Sequence, residues 1–285
     1  MFEPVFMRLA LVAAIATGAS LGLMGVYLAI RRVIFIGLVL ANAAAMGSAL
    51  AQLFGGPPEA TSVTTAVLAA LLLGAFQKPR RVSAESIMGW AYAAASSATV
   101  LILAGAAAAD ADTLHLLFGN LLAISASHAT GLALVAIGIV LLHVLFSRRF
   151  LLVTFDPEAA SVAGVSTGLW SLVLNLSIGV AAAAAVHEIG ALLTFALLTL
   201  PAMAALLVTT SMRATFVMAA TLGAVLGCAG LAASFYFDLP AGPAAVALLA
   251  ISVLAAAAGR ALAPKKPAAQ QVNAEQPARM SVKAD

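Results

Sequence analysis

The chain has 285 residues, of which 64% are hydrophobic and only 9% are charged, and its mean hydropathy is +1.11. A water-soluble protein of this composition would expose much more apolar surface than globular monomers do, so the composition excludes that class. The net charge of +3 is spread along the chain and forms no single basic face, which gives no support to nucleic-acid binding. We therefore predict an all-α protein, a polytopic bundle of helices that span a lipid bilayer.

Apolar runs of about 20 residues, the length that a helix needs to cross the hydrocarbon core, recur along the chain. They predict nine spans, with eight as the alternative because the third run is short. The Leu-rich stretch at 110–127 fits an interfacial or re-entrant helix instead. In chain order the runs cover residues 6–30, 33–53, 61–77, 86–109, 128–146, 168–186, 189–210, 214–236 and 243–262.

The charged residues between these runs predict the orientation of the chain. The loops after the first, third, fifth, seventh and ninth runs are basic, whereas the intervening loops contain acidic residues and no Lys or Arg. Because basic loops stay in the cytoplasm, this alternation places the N-terminus outside and the C-terminus in the cytoplasm. The basic residues are Arg31, Arg32, Lys78, Arg80, Arg81, Arg148, Arg149, Arg213, Lys265 and Lys266.

The chain divides into a membrane domain, residues 1–262, and a tail, residues 263–285. The tail is polar, rich in Pro and Ala, and without hydrophobic periodicity. We expect it to be disordered in the cytoplasm.

A short charged segment, residues 148–164, lies between two long apolar runs. Asp156 can cap the N-terminus of a helix, and Pro157 suits the first turn because the N–H it lacks would have no partner there. Glu158 complements the positive end of the helix dipole. We predict a short cytoplasmic helix within residues 155–165, which a separate soluble ATPase grips in order to move the membrane domain.

Two motifs of soluble enzymes occur in the chain, and both are incomplete. His187-Glu188 begins the metalloprotease pattern H-E-x-x-H, but Ala191 stands where the second His belongs. Residues 164–168 spell G-x-S-x-G, which requires a strand-to-helix turn in a sheet that this sequence does not predict. The phosphate-binding pattern G-x-x-x-x-G-K-[S/T] does not occur, so ATP hydrolysis requires a separate subunit. We therefore predict a transport protein and rank an intramembrane hydrolase well below it.

Four blocks of sequence, in order, carry a resemblance to one family. They are Gly25 to Gly37, Thr154 to Gly164, Ile189 to Ala205 and Asp238 to Pro243. The second block is similar to the family pattern Ser-Phe-Asp-Pro-Glu-x-Ala-x-x-x-Gly, and the third to its Val-Gly-Ala-Leu-Leu and Leu-Pro-Ala-Ala segment. On these blocks the chain resembles, over about residues 4–260, the integral-membrane permeases of bacterial ATP-binding-cassette (ABC) importers for zinc and manganese.

The resemblance implies a multi-pass permease of the bacterial inner membrane, working as a homodimer or beside a second permease subunit. An extracytoplasmic solute-binding protein would deliver the divalent metal ion, and a cytoplasmic ABC ATPase would use the ATP. No permanently bound cofactor is implied. The ATPase-coupling residues would be Phe155, Asp156, Pro157, Glu158, Ala159, Ala160 and Gly164.

The second span departs from the family pattern. The family has an Asp and, four residues on, a His, which lie on one helix face and can bind one metal ion together. Here the aligned residues are Leu38 and Asn42. Leu38 cannot ligate a metal, and the neutral carbonyl of Asn42 is a poor ligand for Zn²⁺ or Mn²⁺. Either other groups handle the ion, or the substrate is not a free divalent transition metal.

Four polar residues are the remaining candidates for contact with the ion. His187 and Glu188 lie together at the outer mouth, where they could receive it, with a solvated loop pair as the simpler interpretation. His143 lies inside the fifth run, where an ionisable side chain indicates function, with a His bonded to a neighbouring helix as the alternative. Asn42 could line a water-filled path or hydrogen-bond another helix. We expect His128 to be solvated beside the outer loop, as we do Asp110, Asp112 and His115.

Two alternatives to a metal-ion permease remain open at this stage. One is an importer subunit with a changed substrate, for example a chelated metal or a small organic solute. The other is a non-transporting membrane subunit that pairs with a second, fully equipped permease. A partner that carries the family's Asp and His would favour the second alternative.

Overall fold

The computed structural model describes residues 5–75, 83–105 and 124–262, and every regular element in these ranges is an α-helix. The predicted tail at 263–285, most of the stretch at 110–127, and Lys78, Arg80 and Arg81 lie outside the described residues. The helices are α1 (Val5–Ile30), α2 (Phe35–Phe54), α3 (Pro58–Ala75), α4 (Ala84–Gly105), α5 (Ala126–Leu145), α6 (Ser147–Phe155), α7 (Pro157–Val162), α8 (Thr167–Val208), α9 (Met212–Phe237) and α10 (Ala241–Leu262).

The described helices have the length and apolar surface of a membrane protein. Seven of them are long and apolar enough to cross a bilayer, namely α1, α2, α4, α5, α8, α9 and α10, whereas α3 is a shorter apolar helix. Leu101, Leu134 and Leu254 are 72%, 69% and 70% exposed, as expected for side chains that face lipid. The predicted all-α membrane fold is confirmed, and the count of nine spans stays a prediction.

Helix α8 is 42 residues long and folds back on itself at Gly190, whose φ of 78° and ψ of 163° are not helical. Arg31 Nη2 donates to Ser171 Oγ near the start of α8, and Leu198 in its second half contacts Gly25. A straight helix would separate Ser171 from Leu198 by about 40 Å at 1.5 Å per residue. Both nevertheless contact the same end of α1, so the two halves of α8 run in opposite directions.

This fold-back corrects the predicted boundary between the sixth and seventh runs. The sequence predicts a loop at His187 and Glu188, but both residues lie within α8, and the break comes at Gly190. The physical reason is that this combination of φ and ψ belongs almost only to glycine, so the chain turns at the glycine and not at the charged pair.

Close packing around α1 holds the bundle together. Gly18 of α1 faces Gly223 of α9 backbone to backbone, and Gly22 faces Ala219 one turn further on. Small residues at these positions let the helix backbones approach each other, which is how helices associate where lipid supplies no hydrophobic driving force. Helices α1 and α9 are therefore closely packed against each other.

Candidate functional site

One end of the bundle brings together four metal-ligating side chains from three helices, and we call them the His–Glu cluster: Glu59, His128, His187 and Glu188. Glu59 is the second residue of α3, directly after Pro58, where its charge complements the helix dipole. His128 is in the first turn of α5, and its backbone N–H donates to the N-cap Ser125 Oγ at 3.2 Å. His187 and Glu188 come just before the fold-back of α8.

Short contacts connect the members of the His–Glu cluster. His128 Nδ1 lies 2.8 Å from Glu188 Oε1, and His128 Nε2 lies 3.2 Å from Glu59 Oε1. The rings of His128 and His187 have their centroids 5.9 Å apart. One ligand atom from each of His128, His187 and Glu188 lies within 4.8 Å of the others, so a single ion can contact all three side chains.

A cavity of about 440 Å³ opens beside the cluster, and the four side chains of the His–Glu cluster contribute to its lining. Glu188 is well enclosed, with 12% of its side chain exposed against 40% for His128 and 65% for Glu59. His187 Nδ1 is buried and has no hydrogen-bond partner among the described residues. The cluster is thus reachable from the surface at Glu59 and His128, whereas Glu188 is largely enclosed.

The opposite end of the bundle carries the capped segment, residues 155–165. Asp156 Oδ1 accepts a 2.9 Å hydrogen bond from the Ala159 N–H, and Pro157 is the first residue of α7, so the predicted cap and helix start are confirmed. Gly164 has a φ of 74° and ends the turn. Ala160 is fully buried, whereas Phe155 and Glu158 are exposed. The segment therefore has one anchored side and one side open to a partner.

A cluster of aromatic rings anchors the capped segment to the membrane helices. His143 stacks on Phe150 of α6 with centroids 4.6 Å apart, and Tyr27 of α1 lies 5.3 Å from His143. Phe150 meets Trp170 of α8 edge-on at 5.3 Å, and the Arg149 guanidinium lies 5.0 Å from the Trp170 ring. These contacts connect α6, which leads into the capped segment, to three long helices, α1, α5 and α8.

His143 therefore lies apart from His187 and Glu188, the other two candidates for a metal ligand. It is 2% exposed, and its Nδ1 is 2.9 Å from the Ile139 carbonyl oxygen of its own helix. Its ring packs within the aromatic cluster at the other end of the bundle. The contacts of His143 are those of a packing residue.

Arg31 links the turn between α1 and α2 to the region of the capped segment. Its Nε donates to Thr154 Oγ1 at 3.3 Å and its Nη2 to Ser171 Oγ at 3.4 Å. Burial lowers the pKa of the Arg31 guanidinium, which stays protonated because arginine keeps its charge in proteins. From Ser171 to His187 the first half of α8 extends about 24 Å, so the His–Glu cluster and the capped segment occupy opposite ends of one helix.

Asn42 is buried, and its Nδ2 donates to the Leu38 carbonyl oxygen at 3.0 Å within the same helix. The described residues give it no hydrogen bond to another helix. This bond uses the Nδ2 of Asn42 and leaves its carbonyl, a poor metal ligand, as the only donor of the Leu38–Asn42 pair. The role of Asn42 as a lining of a path stays a prediction.

Sequence reasoning missed two members of the His–Glu cluster. The sequence predicts that His128 is solvated, and Glu59 is only one of the acidic residues in the predicted loops that lack Lys and Arg. Both stand in the first turn of an apolar helix, where capping residues and residues that complement the helix dipole are common. Their position therefore does not indicate a metal site. The only hint of the cluster in the sequence is that a Glu, a His and a His-Glu pair each stand at the same predicted end of a span.

Known proteins similar to this chain include membrane proteins of transport systems. A model of the ABC 3 transport family matches residues 3–260. The manganese transport system membrane protein MntC of Halalkalibacterium halodurans is 29% identical over 252 residues, 88% of this chain and 86% of that protein. The chelated iron transport system membrane protein YfeD of Yersinia pestis is 30% identical over 248 residues, 86% of this chain and 82% of that protein.

The fold has a solved counterpart as well. A chain in the structure of PsaBC from Streptococcus pneumoniae in complex with Fab superposes with a TM-score of 0.80, at 24% identity, over 89% of this chain and 91% of that one. This likeness concerns the fold, and it extends over nearly all of the membrane domain. On the family match over residues 3–260, the chain belongs to the ABC 3 transport family.

Proposed function

We propose that this chain is the membrane-spanning permease subunit of an ATP-driven importer of divalent metal ions, with Mn²⁺ as the first ion to test. The observation that carries the proposal is the match to the ABC 3 transport family over residues 3–260. The relatives named for manganese and for chelated iron support the class of substrate. The chain is not itself an enzyme, and a separate ATPase subunit hydrolyses the ATP.

The arrangement of the two ends supports a mechanism of alternating access. ATP binding closes the partner ATPases, the capped segment moves with them, and the aromatic cluster passes this movement to α1, α5 and α8. The two halves of α8 then shift relative to their neighbours and change which end of the path is open. Phe155, Asp156, Pro157, Glu158, Ala159, Ala160 and Gly164 form the contact with the ATPase.

The assembly around this chain is part of the proposal. A second permease subunit, identical or different, completes the path, and an extracytoplasmic solute-binding protein supplies the substrate. The proposed topology has nine passes, in which α3 and each half of α8 cross the membrane once. It places the N-terminus outside and the C-terminus in the cytoplasm of the inner membrane. This orientation puts the His–Glu cluster outside and the capped segment in the cytoplasm.

Charge reversal at Glu158 tests the coupling. Glu158→Arg places a positive charge in the first turn of α7, where it opposes the helix dipole and repels any basic groove that received the carboxylate. We expect ATP-dependent Mn²⁺ uptake into proteoliposomes to fall about tenfold, which corresponds to about 1.4 kcal/mol of lost coupling. The thermal unfolding temperature should change little, since the side chain is exposed and the dipole effect at such a site is only about 0.3–1 kcal/mol.

Glu85→Arg is the matched control, because Glu85 is an exposed acidic residue in the first turn of α4 and lies outside the capped segment. It should transport at the rate of the unmodified protein. Uptake by Glu158→Arg at that same rate would refute the coupling role of the capped segment.

A chelated metal is the second candidate substrate. It is favoured by the absence of metal ligands at Leu38 and Asn42, and by the name of the YfeD relative. A chelate brings its own ligands, so the path would not need to supply them. Uptake of iron offered with and without a chelator, each with the cognate binding protein, distinguishes the two substrates, because only a chelate importer loses transport when the chelator is omitted.

A further inference from the structure

We propose that His128, His187 and Glu188 form a binding site for a free divalent transition-metal ion, and that Glu59 positions His128 for this role. The site deepens the proposed function, on which it rests for the source of the ion. Its ligands come from α5 and α8, whereas Leu38 and Asn42 lie in α2.

The ligand atoms are already close enough for one ion. The three side chains offer two imidazole nitrogens and one carboxylate oxygen within 4.8 Å of one another, across α5 and α8. Metal–nitrogen and metal–oxygen bonds of about 2.0–2.2 Å put ligand atoms about 3–4 Å apart around an ion, so small side-chain rotations complete the site. The buried Nδ1 of His187, which has no hydrogen-bond partner among described residues, is a nitrogen that an ion would satisfy.

Glu59 acts on the ion through His128. A metal-binding His commonly donates its other ring N–H to a carboxylate, which fixes the orientation and the tautomer of the ring. His128 has this arrangement in place, because Nδ1 is the nitrogen beside Glu188 and Nε2 lies 3.2 Å from Glu59 Oε1. When the ion binds at Nδ1, the Nε2–H remains bonded to Glu59, so Glu59 is a positioning residue.

The donor set defines the class of ion. Two imidazoles and one carboxylate suit Mn²⁺, Fe²⁺, Co²⁺ and Zn²⁺, whereas Mg²⁺ and Ca²⁺ prefer sites made of oxygen atoms only. Three protein ligands leave positions open for water or for a donor on another protein. The adjoining cavity of about 440 Å³ gives the ion room to enter and leave, which fits a site that passes an ion on.

The first experiment measures Mn²⁺ binding to the purified full-length chain in detergent, by the loss of the electron paramagnetic resonance signal of free Mn²⁺. We expect one ion per chain, retained in a large excess of Mg²⁺. His187→Gln and Glu188→Gln should each weaken binding at least about tenfold, and Glu59→Gln by about 10–100-fold. Glu85 is an exposed carboxylate in α4 outside the cluster, so the Glu85→Gln variant should bind Mn²⁺ as the unmodified chain does.

An X-ray absorption spectrum of the unmodified chain identifies the ligands of a bound ion, so this part of the test does not depend on whether a variant folds. Co²⁺ bound to the unmodified chain should give an X-ray absorption spectrum with two imidazole ligands, and these should persist in Glu59→Gln at saturating Co²⁺. Glu59→Asp should recover part of the lost affinity, which a merely structural role for Glu59 would not predict. A Co²⁺ site with oxygen ligands only would overturn the proposal, as would Mn²⁺ affinity that is unchanged in the His187→Gln, Glu188→Gln double variant.

Transport measurements separate this inference from the proposed function. Mn²⁺ uptake at an unchanged rate and unchanged half-saturation in the double variant would overturn the site and leave the importer role intact. Binding that depends on His187 and Glu188, in a complete complex that transports no metal ion, would support the site and refute the importer role.

Discussion

Gly223→Leu is expected to destabilise the membrane domain strongly. A Cβ at position 223 would run into the backbone carbonyl group of Gly18, and a Cβ at position 18 would run into that of Gly223. Neither contact can be relieved by a side-chain rotation, because both partners are backbone. Overpacking costs about 1–3 kcal/mol, and occasionally more, and two backbones in contact place this site at the upper end. We expect the thermal unfolding temperature in detergent to fall by several degrees and the yield of monodisperse protein to drop steeply.

Gly138→Leu is the matched control for this substitution. Gly138 is in α5, a Cβ there meets no atom within 4 Å, and the added side chain would point into open space that lipid or detergent fills. We expect its unfolding temperature to be no lower than that of the unmodified chain, because replacing a helical glycine favours the helix. An unfolding temperature for Gly223→Leu that matched Gly138→Leu would contradict the close approach of α1 and α9.

The helices were predictable because lipid imposes a strict rule on the sequence. A span requires about 20 apolar residues, so its ends are marked by the first charged or turn-forming residues. The predicted run at 214–236 corresponds to α9 at Met212–Phe237, and the run at 243–262 to α10 at Ala241–Leu262. The capped segment was predictable for a different reason, since the bond from the Ala159 N–H to Asp156 Oδ1 joins residues three apart.

The His–Glu cluster was not predictable from the sequence, because its contacts join residues far apart in the chain. His128 is 69 residues from Glu59 and 60 from Glu188, and their meeting depends on how α3, α5 and α8 are rotated about their axes. Apolar periodicity does not fix that rotation in a membrane, since buried and lipid-facing side chains are equally apolar. His187 and Glu188 could be proposed as a pair only because they are adjacent.

The position of the turn in α8 also could not be predicted from the local sequence. A charged pair inside an apolar run predicts a loop, and this pattern points to a break at His187 and Glu188. The chain instead keeps both residues in a helix and turns at Gly190. The charges are tolerated there because Glu188 contacts His128, a contact that no local pattern reveals.

Gly190→Ala is expected to damage both the fold-back of α8 and the His–Glu cluster. With a φ of 78° and a ψ of 163°, Gly190 occupies a region that residues with a Cβ almost never adopt, at a cost of about 1–3 kcal/mol. Alanine would relieve this strain by continuing the helix, which would turn His187 and Glu188 away from His128. We therefore expect a lower unfolding temperature together with at least about a tenfold loss of Mn²⁺ affinity in the purified chain.

Gly89→Ala separates these effects from a general response to losing a glycine. Gly89 is within α4, and a methyl group added there would meet no atom within 4 Å, so alanine should leave binding unchanged and favour the helix by about 0.5–1 kcal/mol. Loss of Mn²⁺ affinity without a change in unfolding temperature would contradict the expected strain of alanine at position 190, while leaving the link between this position and the site intact. Retention of both properties in Gly190→Ala would show that α8 turns without help from glycine, and it would remove the link between the fold-back and the site.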